Sequence, residues 1–92
     1  MDDVTKKAVS QRLASAAGHI KGIERMVGDD TYCIDVIKQI SAVQAALNKV
    51  SALILENHLQ TCVTTAIQGD DPGERQRILQ EVTAVFEMSK KV

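Results

Sequence analysis

From Tyr32 to Gln68 the chain contains neither glycine nor proline, and this stretch limits the available folds more than any other feature. Within it Val36, Ile40, Val43, Leu47, Val50 and Ile54 recur at alternating steps of four and three residues. Such steps place an apolar stripe down one side of an α-helix, whereas a strand alternates with period two. A helix over 31–68 would be roughly 55 Å long. The preceding segment, residues 3–27, carries a similar stripe of Val9, Leu13, Ala16, Ile20, Ile23 and Val27. That shorter helix can cover only about 37 Å of its neighbour. Gly18 and Gly22 share one of its faces, where another backbone could approach closely. Between the two helices lies "GDDT" (28–31), with Gly28 expected as a C-cap and Asp29, Asp30 or Thr31 as an N-cap. "GDDPG" (69–73) supplies turn chemistry that ends the long helix. Residues 74–89 then read as a short third helix with Ile78, Leu79, Val82, Val85 and Phe86 facing inward.

The expected fold is therefore all-α, with three helices in a single domain over residues 1–92. A chain of 92 residues with one Phe, one Tyr and no Trp builds its core from Leu, Ile, Val, Met and Ala, near the lower size limit for an adequate core. A long helix that is apolar along its whole stripe cannot be satisfied by the shorter helices of its own chain, so an obligate oligomer is expected. No apolar run approaches the roughly 20 residues of a membrane span, and "MDDVTKKAVSQR" lacks the apolar core of a signal peptide. The expected location is the cytoplasm, where thiols stay reduced.

Reduced thiols give weight to "ENHLQTC" (56–62), which sets His58 and Cys62 one helical turn apart. At this spacing the two side chains share a helix face and can chelate one ion. Two ligands make a poor site, and the chain's other cysteine, Cys33, lies 25 residues before His58, about 37 Å away along the same helix. An antiparallel second copy solves this. Two long helices crossing near Ala46 bring Cys33 of one chain beside the other's His58 and Cys62, giving two identical sites per symmetric dimer. Two thiolates and one imidazole form a soft donor set suited to Cu(I), whereas Zn(II) would want a fourth ligand or a bound water.

"RLASAAGHIKGIERMV", "DDTYCIDVIKQISAVQAAL" and "HLQTC" resemble the copper-sensitive operon repressors within the CsoR/RcnR family of small metal-responsive regulators. The resemblance is dense over roughly residues 9–67 and loose in the third helix. It implies a dimer built on an antiparallel four-helix core and a tetramer made from two such dimers. It also implies operator DNA as the partner, bound by the metal-free form and released when Cu(I) binds. The family's metal ligands fall on Cys33, His58 and Cys62, the pattern of the copper branch. A minority of nickel sensors keep the same cysteines, which leaves nickel as the alternative metal. The pair that links the metal-bound histidine to allostery falls on Tyr32 and Glu81. His19, within "GHIKG", is read as structural or as a supporting residue rather than a ligand.

Net charge is −1, so no global field marks a nucleic-acid binder, although seven of the eleven Lys and Arg lie within the first 49 residues. With no helix-turn-helix and no basic cluster interleaved with aromatics, the DNA reading rests on the resemblance. Arg12 and Lys49 match family positions implicated in operator contact. Lys21, Arg25 and Lys38 join them as candidates by sharing the polar faces of the same helices. A persulfide sensor would pair Cys33 with the partner's Cys62, but that branch of the family lacks the histidine. A copper-buffering bundle with no DNA role is the rival from a different class. No nucleophile–base pair, phosphate loop or acidic dyad suggests an enzyme or a small-molecule substrate.

Overall fold

The computed structural model describes residues 1–90, with every side chain among them except those of Cys62, Ser89 and Lys90. All regular structure in the described residues is helical: α1 (Asp3–Gly28), α2 (Cys33–His58), a π-helical turn (Leu59–Val63), α3 (Thr64–Gln68) and α4 (Pro72–Lys90). Right-handed dihedrals at His58, Val63 and Thr64 carry helical backbone through both junctions. The long glycine-free segment thus forms one helical run, interrupted only in its hydrogen-bond register. The chain divides into two compact units, Met1–Asn57 and His58–Val92.

In the first unit α1 and α2 form an antiparallel hairpin. Asp2 caps α1, its carboxylate accepting from the Thr5 N–H at 2.7 Å, which satisfies one of the amides left over at a helix start. Two cross-helix hydrogen bonds fix the register. His19 Nε2 lies 2.8 Å from Gln39 Oε1, and Asn57 Nδ2 donates to Asp2 Oδ2 at 2.5 Å. In both pairs the residue numbers add to 58 or 59, so Val9 lies level with Val50 and Ala16 with Val43. These four residues are buried, together with Ile23 and Asn57.

Burial selects half of each expected stripe. Val9, Ala16 and Ile23 on α1, and Val43, Val50 and Asn57 on α2, repeat every seven residues and form the hairpin core. Leu13, Ile20 and Val27, and likewise Ile40, Leu47 and Ile54, remain open, with 36–60% of their surface accessible. The seven-residue repeat extends from Val50 to Asn57, so the polar Asn57, rather than His58, continues the covered half. Among the described residues no neighbouring atom comes near enough to touch a Cβ added at Gly18, so the close backbone approach expected there is not made among them.

The turn after α1 differs from the expected glycine cap. Gly28 stays helical, and Asp30 takes the left-handed conformation at φ 56°. The Thr31 N–H reaches the Met26 carbonyl and the Asp30 N–H the Val27 carbonyl, which is the Schellman arrangement. Aspartate tolerates this conformation better than most side chains.

In the second unit α4 folds back against α3 and the π turn, burying Val63 and Ile78. Helix α4 begins at Pro72, two residues before the expected start. Proline suits the first helical position, where an amide would lack a partner, and Asp71 Oδ1 accepts from the Gly73 and Glu74 N–H groups. Of the residues expected to face inward on α4, only Ile78 is buried; Val82 is half-buried, and Leu79, Val85 and Phe86 are exposed. No helix among the described residues is long and apolar enough to cross a membrane.

Candidate metal centre

The three candidate donors sit on the long helical run. Cys33 is the first residue of α2, its thiol free and exposed. The Tyr32 carbonyl accepts from the Asp35 and Val36 N–H groups and so starts the helix. Beside Cys33 lies an open groove of about 400 Å³ lined by Val27, Asp30, Thr31, Val36 and Ile37. His58 closes α2 and is half-buried. Cys62 lies on the π turn just after it; its side chain falls outside the described residues. Cys33 and His58 therefore stand at opposite ends of one helix, about 37 Å apart at 1.5 Å per residue. Among the described residues no three His, Cys, Asp or Glu side chains come together.

Tyr32, immediately before α2, is 68% exposed. The Glu81 carboxylate is engaged by Arg77 Nη1 at 2.6 Å, one turn earlier on α4, and Arg77 also holds Glu74. The bond from Arg77 lowers the pKa of Glu74, and the same pair raises that of Arg77. His19 is occupied in joining α1 to Gln39 of α2, and so stabilises the hairpin.

Of the basic candidates, Arg12, Lys21, Arg25, Lys38 and Lys49 are all exposed on the hairpin. Its register sets Lys21 level with Lys38, and Arg12 within a turn of Lys49. Arg12 lines an open groove with Ser15, His19 and Ala46. The polar residues that sequence reasoning missed are Asn57 and Thr64. Asn57 could have been found, because it falls seven residues after Val50 on the covered half-stripe. Thr64, whose hydroxyl donates to the Leu59 carbonyl at 2.6 Å, gives no sequence signal, since it acts only in the π register.

An antiparallel hairpin and a second small helical unit, with the candidate thiol Cys33 and imidazole His58 at the two ends of α2, define a class of small all-helical proteins. The metal-sensitive transcriptional repressor family matches residues 5–88, and the chain belongs to it. The copper-sensing transcriptional repressor CsoR of Mycobacterium tuberculosis (strain H37Rv) is 50% identical over 62 residues, covering 67% of this chain and 52% of that protein. CsoR of Bacillus subtilis (strain 168) is 38% identical over 86 residues, 94% of this chain and 82% of its own. Among solved structures, the copper-sensing repressor CsoR with Cu(I) from Geobacillus thermodenitrificans superposes with a TM-score of 0.86 at 34% identity, covering 98% of this chain and 91% of that one. The chain spans about half the length of the mycobacterial CsoR relatives it matches.

Proposed function

We propose that this protein is a Cu(I)-responsive transcriptional repressor, acting in the cytoplasm as a homodimer that pairs into a homotetramer. The observation that carries the reading is the placement of Cys33 and His58 at opposite ends of α2. A helix is too stiff to bring its own ends together, so a shared ion needs a second α2 running the other way. The open half-stripe of Ile40, Leu47 and Ile54 supplies the apolar surface such a pairing would bury. Cys33 of one chain then joins the partner's His58 and the partner's Cys62. The donors fit Cu(I), which accepts two thiolates and one imidazole without requiring a fourth ligand.

In this reading the metal-free protein holds operator DNA and the Cu(I)-loaded protein lets it go, derepressing copper-resistance genes. Arg12 and Lys49, with Lys21, Arg25 and Lys38, meet the phosphates, and Tyr32 and Glu81 couple the imidazole of His58 to that surface. The names of the copper-sensing relatives support copper as the metal. The test is an anisotropy titration of operator DNA at one salt concentration, metal-free, with Cu(I) and with Ni(II). Cu(I) is expected to weaken binding by about 5- to 150-fold, the usual range of allosteric coupling. Equal affinity with and without Cu(I) overturns the repressor reading, and release by Ni(II) alone overturns the choice of metal.

A further inference from the structure

Between His58 and Thr64 the helix changes register. Over Leu59–Val63 the bonds span five residues instead of four, while the flanking dihedrals stay in the ordinary helical range. Single π turns inside α-helices are rare and concentrate at functional sites. This one falls between two of the proposed ligands, with His58 the residue before it and Cys62 its fourth residue.

Thr64 supports the widened turn. A threonine hydroxyl in an α-helix normally bonds back to the carbonyl three or four residues earlier. Here Thr64 Oγ1 donates to the Leu59 carbonyl, five residues back, at 2.6 Å, while the Thr64 backbone N–H bonds the Thr61 carbonyl. A reach of five residues belongs to a turn that has taken in one more residue. The next residue back, Val63, is buried, and α4 packs against this turn.

The register matters for a pair spaced four apart. At 3.6 residues per turn, position 62 overshoots position 58 by a fraction of a turn. In the wider π turn, four residues stop short of a full turn. The angle about the helix axis between the two ligand positions therefore changes sign between the two registers.

We propose that Thr64 is a positioning residue for the metal site. Its hydroxyl holds the π turn and so sets the angle at which positions 58 and 62 are presented to one ion. The inference rests on the proposed use of His58 and Cys62 as ligands. Thr64→Val removes the hydroxyl and keeps the shape, Thr64→Ala removes it with a better helix former, and Thr64→Ser keeps it. Each full-length variant is titrated with Cu(I) against a chromophoric Cu(I) chelator, and X-ray absorption reads the sulfur and nitrogen neighbours of the bound ion. Metal-free samples are followed by amide hydrogen exchange at residues 59–68 and by thermal melting.

Thr64→Val and Thr64→Ala are expected to lose about 10- to 100-fold in Cu(I) affinity, the usual effect of removing a group that orients a ligand. They should also show altered metal neighbours and changed exchange over 59–68, with melting temperatures close to the natural chain's. Thr64→Ser should bind as the natural chain does. Natural affinity and natural metal neighbours in Thr64→Ala overturn the proposal even if Thr64→Val fails to fold, and so does an equal loss in Thr64→Ser. A natural chain that binds no Cu(I), or binds it unchanged after His58→Ala or Cys62→Ala, overturns the ligand assignment instead.

Discussion

A shared site between antiparallel chains predicts complementation between two defective proteins. One variant is Cys33→Ala; the other combines His58→Ala with Cys62→Ala. The distance that decides the outcome is the length of α2, about 37 Å from Cys33 to His58 at 1.5 Å per residue. No rotamer spans that gap, so every complete site must draw on two chains. Each homodimer then carries two broken sites and should bind Cu(I) poorly. In a heterodimer, Cys33 of the double variant meets the intact His58 and Cys62 of the single variant, which completes one site. The other site loses all three ligands. Random pairing after co-refolding at equal concentrations makes about half of the dimers heterodimers, so the mixture should recover about one quarter of the natural site number. The assay is Cu(I) stoichiometry by chelator competition, before and after unfolding and refolding the variants together. Briefly mixed, separately folded homodimers should recover little, because the chains have not exchanged. If verified heterodimers regain no tight binding, the cross-chain site is wrong and the three ligands do not meet as argued.

Two further outcomes follow from the hairpin. Arg12→Ala and Lys49→Ala should each weaken operator binding and lower the slope of log affinity against log salt by about one, since each lost phosphate contact releases about one fewer counterion; Cu(I) affinity should hold, and an unchanged slope in both would place the DNA surface elsewhere. Asp2 has its pKa lowered from 3.8, chiefly by the backbone hydrogen bond from Thr5, so the folded state favours the carboxylate. Its stabilising effect is complete above the unfolded value and fades as pH falls through the lower folded one. The melting-temperature gap between the natural chain and Asp2→Asn should therefore be widest near neutral pH and narrow progressively as pH falls below about 3.8; a gap of the same width throughout the acid range would show that the carboxylate charge is not what matters.

The architecture was legible because glycine, proline and short acidic residues punctuate the chain where backbone bonding must change hands. The four-and-three spacing of apolar residues in the stretch without glycine or proline pointed to helix, and on that helix the 25-residue separation of Cys33 and His58 becomes a length too great for one chain to close. Cys33, His58 and Cys62 stood out because soft donors are scarce in this sequence. Periodicity, however, reports only that a set of residues shares a face. Val43 and Ile40 belong to one stripe, yet Val43 is buried within the hairpin and Ile40 is left 42% exposed. The choice depends on the register at which α1 meets α2, set by the bonds from Asp2 to Asn57 and from His19 to Gln39. The left-handed turn at Asp30 and the helix start at Pro72 were settled by which carbonyls and amides needed partners locally. The π turn lay furthest from view. The dihedrals at its edges are those of an α-helix, so no residue preference announces it, and the Thr64 hydroxyl on the Leu59 carbonyl and the packing of α4 against the turn come into view only in the tertiary structure.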